Sequence, residues 1–330
     1  MHHPTRVSAQ GDLRAARGHA TRSTDPLITV IIPCHNQGRY LAEAIDSVLT
    51  QGYSRTQIVI VDDASTDRTA EVARSYPSVQ YVRQPHGGRS QTRNVGLRRA
   101  RGEFVVFLDA DDRLLPGHFA ISLRTLAEAP DAAFVFGDFR ALGGPTTHRH
   151  RCAPSPDYYA TFLRKRTEAL GALHAAMFRR VHILAVGGFQ TRFDVCEDID
   201  LFLRLARHYP VVCHHQVIAE YRRHSEQITR RYDLMLAGIT RVYRRQWLHA
   251  WLHPAYRAAY RDGCRLIHQA TAVPLAWMCL AMLKARNWST AGRYAAVLLR
   301  YAPAALLSVA WTRLRIACSR GRRVAVQPER

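Results

Sequence analysis

Hydrophobic and polar positions alternate in two periods along the first half of the chain. Leu27 to Ile32 (LITVII) is an unbroken apolar and β-branched run stopped by Pro33, the pattern of a strand buried in a parallel sheet. From Arg39 to Thr50 the residues Tyr40, Leu41, Ala44, Ile45, Val48 and Leu49 recur three and four apart, which predicts a helix with one face for the sheet. Gln57 to Val61 (QIVIV) reads as the next strand and Asp67 to Ser75 as a short helix capped by Ser65 or Thr66. The pattern then repeats with a strand at Val79 to Arg83, a loop at His86-Gly87-Gly88 and a helix through Arg89 to Ala100. Glu103 to Leu108 is the most apolar strand and runs directly into Asp109-Ala110-Asp111-Asp112. Further on, a strand is expected at Ala133 to Phe136, a Gly/Pro/His-rich loop from Leu142 to Pro156, a helix from Glu197 to His208 and an edge strand at Val211 to Cys213. Strands alternating with helices predict an α/β fold with a doubly wound, mostly parallel sheet, whose ligands bind at the carboxyl ends of the strands.

From about Tyr232 the composition shifts to Ala, Leu, Arg and Trp without acidic clusters. The expected organisation is a disordered basic tail over 1–26, a sheet domain over 27–231 and a helical, basic extension over 232–330. Within the extension, Arg265 to Lys284 and Tyr301 to Leu314 are apolar stretches bordered by Arg or Lys. The first contains His, Gln and Pro, and the second is short for a hydrocarbon core of about 30 Å. Trp277 and Trp311 with their flanking arginines fit helices lying in an anionic membrane surface; two core helices packed on the sheet domain are the alternative.

Composition narrows the classes. A chain of 330 residues that is 47% hydrophobic is not disordered over most of its length, and 47 Lys+Arg against 26 Asp+Glu gives a formal charge of +21. That excess attracts nucleic acid, anionic lipid or a phosphorylated substrate without choosing among them. Cys34, Cys152, Cys196, Cys213, Cys264, Cys279 and Cys318 include no C-x-x-C pair, so reduced thiols in the cytoplasm are expected rather than disulfides or a structural zinc site. The first 26 residues lack the apolar core of a secretory signal.

The candidate chemistry lies where strands end. Asp62-Asp63 follows QIVIV, and Asp109-Ala110-Asp111-Asp112 follows FVVFL, which puts two acidic clusters on one rim of the sheet. Packed carboxylates repel unless something positive sits among them, and oxygen ligands select a hard ion such as Mg²⁺ or Mn²⁺ that bridges protein to diphosphate. A D-x-D pair alone is a common feature of solvated turns; its place at the end of a buried strand makes it a candidate site.

Taken in order, the segments resemble the family 2 glycosyltransferases of the GT-A fold. They are Pro33-Cys34-His35-Asn36, Tyr40-Leu41, Thr50-Gln51, Ile60-Val61-Asp62-Asp63-Ala64-Ser65-Thr66-Asp67, Gly87-Gly88 and Thr92-Arg93-Asn94-Val95-Gly96-Leu97. Phe107-Leu108-Asp109-Ala110-Asp111-Asp112, Gly187-Gly188-Phe189 and Glu197-Asp198-Ile199-Asp200-Leu201 complete a set within residues 27 to 225. The resemblance implies an inverting transfer of sugar from a nucleotide diphosphate donor to a glycan or lipid-linked acceptor hydroxyl, in cell-envelope or exopolysaccharide synthesis. It implies that Asp63 contacts the base, that Pro33, His35 and Asn36 line the nucleotide pocket, and that His35 stands where the family usually has an aromatic ring, most often Tyr. Arg93 and Asn94 match an Arg-Asn pair at a helix start, where the guanidinium holds a phosphate or a carboxylate of the site, or forms an internal salt bridge to Asp63 or Asp109. Asp109 and Asp111 would hold the donor and its Mg²⁺ or Mn²⁺, with His224 approaching the metal or diphosphate. Asp198, with Glu197 beside it, is the implied general base, kept ionised by the dipole at the start of its helix. Capping of that helix is the plain alternative for both acids, and Asp200 with Arg204 reads as a surface pair.

Other classes explain less. A nucleic-acid-binding protein accounts for the charge alone and no recognition motif accompanies it, so no nucleic-acid partner is expected. A non-catalytic nucleotide-sugar-binding module would not need Glu197-Asp198. A dinucleotide-binding oxidoreductase would show G-x-G-x-x-G after the first strand, and none is present. The expected location is cytoplasmic, peripheral on the inner face of the cell membrane if the extension binds lipid.

Overall fold

The computed structural model describes residues 25–142, 149–164, 173–224, 227–228, 231–309 and 311–312. The expected basic tail lies, up to residue 24, outside them. The sheet has nine strands in the order β3-β2-β1-β4-β8-β6-β9-β5, with β7 paired to β6. Its first half is the part that the hydrophobic runs predict. β1 (Ile28–Cys34), β2 (Thr56–Asp63), β3 (Val79–Gln84) and β4 (Phe104–Phe107) are all parallel, with Ile31 opposite Val59 on one side and Phe107 on the other.

Both faces of that half are covered, which is why β1 is buried at all seven positions. Ile28, Val30 and Ile32 face α1 (Gly38–Leu49), through Leu41, Ala44, Ile45 and Val48, and α4 (His118–Glu128), through Phe119 and Leu126. Ile31, Val105 and Phe107 face the opposite way, into a core with Leu97 of α3 (Gly88–Arg99) and Phe202 of α7 (Glu197–His208). The small helix α2 (Thr69–Arg74) differs from expectation at its start: Asp67, rather than Ser65 or Thr66, accepts the Thr69 N–H at 3.0 Å and the Gly38 N–H at 2.8 Å.

The second half of the sheet is mixed. β8 (Ala176–Arg179) is antiparallel to β4 and to β6 (Phe134–Leu142), and β5 (Arg113–Leu114) is antiparallel to β9. β9 runs from Val211 to Arg222, parallel to β6, between β6 and β5, so the expected edge strand Val211 to Cys213 is the first quarter of an internal strand. The expected loop after Leu142 contains the short strand β7 (Arg149–His150) and leads to α5 (Tyr158–Arg164).

The C-terminal region is α8 (Tyr232–Leu252), α9 (Pro254–Ile267), a π-helical turn at His268–Ala272, α10 (Val273–Lys284) and α11 (Trp288–Tyr301). α8 is seated in the main core: Leu236, Ile239, Val242 and Tyr243 are at most 2% exposed and share one cluster with Phe202 and Phe134. Burying such side chains contributes roughly 1.5–3 kcal/mol each. Exposing four of them would consume much of the ~5–15 kcal/mol that a domain has, so truncation near Tyr232 is expected to unfold the sheet domain. The seat is close at Gly238, where a Cβ would meet the Val195 carbonyl oxygen at 2.9 Å and the Val195 side chain nearer still. Gly238→Val is expected to lower stability by about 1–3 kcal/mol in denaturant melts. An unchanged midpoint would show that α8 is free to lift off that loop.

Candidate functional site

A cavity of about 800 Å³ opens at the carboxyl ends of β1, β2 and β4 and is walled by the start of α7 and the end of β9. Pro33, His35, Asn36, Asp63, Arg93, Asp109, Asp111, Glu197, Asp198 and His224 all line it. Asn94 stands apart. Its amide is used against one backbone position, donating to the Phe189 carbonyl at 2.7 Å and accepting the Phe189 N–H at 2.9 Å, and it ties α3 to the Gly187-Gly188 turn outside the cavity.

Three residues that rarely take a left-handed backbone do so at this rim: Asn36 (φ 54°), Ala64 (φ 62°) and Cys196 (φ 62°). Each lies where the chain turns out of a strand or into α7, at a cost on the order of 1 kcal/mol that the surrounding packing must supply. Gly88 (φ 78°) makes a fourth such turn and aims its N–H at Asp63.

Asp63 is held by four donors. Gln84 Nε2 and the Gly87 N–H reach Oδ1 at 2.7 Å each, while the Gly88 N–H at 3.0 Å and His86 Nδ1 at 2.9 Å reach Oδ2. Burial raises its pKa, but the Gln84 and glycine hydrogen bonds and His86 outweigh burial and hold the carboxyl below its ordinary range. His35 Nδ1 lies 2.6 Å from the Asp63 carbonyl oxygen, and the His35 and His86 rings are 4.9 Å apart. His86 is thus a member of this pocket, although its segment reads in the sequence only as a loop. Asp62, by contrast, turns into the fold, accepting the Ser65 N–H at 2.8 Å and the Tyr81 hydroxyl at 2.5 Å. The first acidic cluster therefore offers the rim one carboxylate.

Arg93 is the electrostatic centre of the site. Its side chain is 3% exposed; one guanidinium nitrogen donates to Asp109 Oδ1 at 2.6 Å, another donates to Glu197, and the plane lies 5.5 Å from the Phe189 ring. Of the two internal partners that the sequence left open, Asp109 is the one found, and Glu197 is an addition. The arrangement fixes the start of α7 against the end of β4. Removing one partner of such a buried pair costs about 3–5 kcal/mol.

Asp111 and Asp112 diverge although adjacent. Asp111 Oδ2 lies 2.9 Å from His224 Nε2, and the His224 Nδ1 is buried without a hydrogen-bond partner among the described residues. Asp112 points inward, accepting the Arg222 N–H at 2.9 Å and pairing with His174 Nδ1 at 2.8 Å. Burial pushes the Asp112 carboxyl upward against the pull of His174. Arg222 also donates from Nε to the Asp111 carbonyl at 3.0 Å and stacks 4.9 Å from Tyr40. These bonds bring the end of β9, and with it His224, to the D-x-D turn. His174 and Arg222 carry no role in the sequence, because they lie just before β8 and at the end of β9, whose pairing the sequence does not show; Tyr40 reads there as part of the helix face and of the family segments.

Glu197 and Asp198 differ in the same way. Glu197 is committed to Arg93, whereas Asp198 lines the cavity and accepts only the Ile199 N–H, at 2.8 Å, in the described hydrogen bonds. Its pKa is pushed up to about 6, first by burial and then by the neighbouring Glu197. Burial thus opposes the dipole at the helix start, yet a carboxyl at about 6 is still largely ionised at neutral pH, as a general base must be. Asp200 is corrected. It is fully buried, pairs with Arg204 at 2.7 Å, and Arg204 in turn donates to the Val186 and Gly188 carbonyls at 2.7 Å each. This is an internal brace rather than a surface pair.

Comparison with known proteins follows the same outline. The family model described as Glycosyl transferase family 2 matches residues 29–186. An uncharacterized glycosyltransferase of Rickettsia typhi is 27% identical over 210 residues, covering 62% of this chain and 66% of that protein. The hyaluronan synthase of Pasteurella multocida is 28% identical over 204 residues, 58% of this chain but 20% of the synthase. The chain thus spans less than two thirds of the length of either relative. A mannosyltransferase from Pyrobaculum calidifontis, solved with GDP-Man and Mn²⁺, superposes with a TM-score of 0.56 at 21% identity over 89% of this chain and 81% of that one, which establishes a shared GT-A fold.

Proposed function

We propose, from the premise that this chain belongs to glycosyl transferase family 2 through the domain at residues 29–186, that it transfers a sugar from a nucleotide diphosphate donor to an acceptor hydroxyl with inversion. The observation that carries the reading is the division of labour at the start of α7: Glu197 is locked by Arg93, and Asp198 beside it is left facing the cavity. Asp63 with its four donors and His35 form the nucleotide end of the cavity, and Arg93 sets Asp109 at the diphosphate end. Asp198 then takes the acceptor proton as the hydroxyl oxygen attacks the anomeric carbon from the face opposite the leaving group. Glu197 is a positioning residue, holding Arg93 and through it Asp109.

The residues fit a divalent cation. Asp111 and His224 converge to 2.9 Å, Asp109 lines the same end of the cavity, and the neighbouring mannosyltransferase fold was solved with Mn²⁺. Mg²⁺ or Mn²⁺ held by Asp111, Asp109 and His224 would supply Lewis-acid stabilisation of the departing diphosphate. Likeness to the hyaluronan synthase supports a polysaccharide or lipid-linked glycan acceptor. The test is a panel of UDP- and GDP-sugars in thermal melts with and without Mn²⁺, followed by NMR of the product's anomeric configuration. One donor is expected to raise the melting temperature only with metal, since a ligand of the folded state stabilises it by mass action. A product with retained configuration would remove Asp198 as the base of a single displacement.

The membrane reading gains a second surface beside the expected one. α10 buries Leu275, Ala276 and Cys279, and the helical segment at 303–309 buries Ala305 and Val309, so both apolar stretches use one face as core. Pro254–Lys284 is nonetheless long and apolar enough to cross a membrane, with 33% of its most apolar window buried. Leu307 (73%) and Trp311 (65%) stay exposed on the second stretch, and the end of α8 exposes a contiguous set, Trp247 (51%), Leu248 (57%), Trp251 (56%) and Leu252 (62%), with the two indoles stacked 6.3 Å apart. This cluster is proposed as the peripheral anchor, beside Arg244 and Arg257. Co-sedimentation of the full chain with anionic vesicles is expected to weaken with salt and to fall severalfold in Trp247→Ser/Trp251→Ser, whereas neutral vesicles bind neither protein. Equal binding by variant and wild type would move the contact elsewhere.

A further inference from the structure

A second cluster of metal-ligating side chains lies away from the donor cavity, where β6 and β9 lose register. Phe136 pairs with Cys213 and Asp138 with Val217, so β9 inserts extra residues at His214, His215 and Gln216. Such bulges re-aim side chains out of a regular ladder. Here the irregularity turns Cys213 and His215 toward Cys152, which follows β7, and toward Asp138 on β6. Cys152 Sγ donates to the His214 carbonyl at 2.9 Å and lies 3.9 Å from His215 Nδ1, and the Cys213 thiol is near enough to interact electrostatically with that of Cys152. The donor atoms of Asp138, Cys152 and His215 all lie within 4.8 Å of one another.

We propose that Cys152, Cys213, His215 and Asp138 form a zinc site that staples β9 to β6. Zinc–sulfur and zinc–nitrogen bonds of about 2.3 and 2.0–2.1 Å put tetrahedral ligand atoms roughly 3.5 Å apart, so closure of Asp138, Cys152 and His215 around an ion needs movements well under about 1.5 Å, with Cys213 turning in as the fourth ligand. Two thiolates and an imidazole select zinc over the hard cation of the donor site. The surroundings match those of a ligated carboxylate. Asp138 is fully buried; its Oδ1 accepts the Cys152 N–H at 2.8 Å and its Oδ2 takes both Arg149 Nε at 2.9 Å and an Arg149 terminal nitrogen at 2.8 Å, which orients it and leaves a lone pair on Oδ1 for an ion. Zn²⁺ with two thiolates, the carboxylate and Arg149 is electrically neutral. Cys152 is buried while His215 is exposed, which gives the ion an entry side. The absence of a C-x-x-C pair argued against structural zinc from spacing alone; here the two thiols come from segments that only the β6–β9 pairing brings together. The consequence reaches the donor cavity, because the same strand continues to Arg222, whose N–H binds Asp112.

The test uses the full chain purified under reducing conditions without chelator. Elemental analysis is expected to find about one zinc per chain, and exchange with Co²⁺ to give a thiolate-to-cobalt charge-transfer band. Cys213→Ser should weaken that band, since the Cys152 thiolate remains, and His215→Ala, at an exposed position that packing does not need, should weaken Zn²⁺ affinity at least about tenfold while the protein stays folded. Asp111→Asn should leave zinc content unchanged. The proposal is overturned if Zn²⁺ titrated into the reduced protein neither binds nor raises its melting temperature. It is equally overturned if zinc content follows Asp111 instead of His215, or if metal-free protein yields Cys152 and Cys213 as a disulfide that reduction does not convert to a zinc-binding form.

Discussion

Replacing Asp198 with Asn is expected to leave donor binding intact and to lower transfer by about two to four orders of magnitude, the range that a positioned general base supplies. The amide keeps the shape and the bond from the Ile199 N–H, so the start of α7 should not move. The pH dependence gives a second reading of the same residue. A base acts deprotonated, and burial raises this carboxyl to about 6, so wild-type transfer should fall as pH drops through that value. Stability moves the other way. A carboxyl whose folded pKa lies above its unfolded value stabilises the fold below the unfolded value, and that contribution is lost as pH rises through the folded one. Asn cannot ionise; Asp198→Asn should therefore melt higher than wild type well above pH 6 and no higher near the unfolded carboxyl's pKa of 3.8. Near-normal transfer by the folded variant would shift the base to Glu197, despite its bond to Arg93.

The parallel half of the sheet was legible because its signals are local. LITVII, QIVIV and EFVVFL are each long enough to be read without knowing their partners, and each ends in residues that the fold then delivers to the cavity. The mixed half gave no such signals. β8 is four residues, AMFR, and β5 is two, too short for periodicity to register. In β9 the run Cys213-His214-His215-Gln216 is polar and bulged, which hid a twelve-residue strand behind an expected three-residue one. Every site residue that the sequence left without a role depends on this half or on a loop: His174 precedes β8, Arg222 ends β9 and His86 follows β3.

The same limit applies to charges. The local residue pattern does not distinguish Asp62 from Asp63 or Asp111 from Asp112; only the family resemblance singles out Asp63 and Asp111. In the fold one of each pair turns inward onto Tyr81 or His174, and one lines the cavity. Arg93 could not be assigned to Glu197 from spacing, since that contact joins α3 to α7 across the site. Composition likewise could not divide the apolar C-terminal helices into a buried face and an exposed one.

The split between neighbouring acids yields the most discriminating test of the metal assignment. Asp111→Ala removes a carboxylate whose side-chain bond is to His224 alone in the described hydrogen bonds, at a position 13% exposed. Its backbone carbonyl, which accepts Arg222 Nε, remains. The variant should therefore keep its melting temperature to within the effect of about 1 kcal/mol and lose metal-dependent donor binding altogether. Asp112→Ala should do the reverse in order. It strips a 1% exposed carboxylate from the Arg222 N–H and from His174, leaving two buried donors unpaired, and a destabilisation of roughly 3–5 kcal/mol is expected. Calorimetry with the cognate nucleotide sugar and Mn²⁺, paired with melts of both variants, separates the two. If folded Asp111→Ala binds donor as wild type does and responds to Mn²⁺ as before, the cation is held elsewhere, and Asp111 and His224 are merely a hydrogen-bonded pair closing the end of β9.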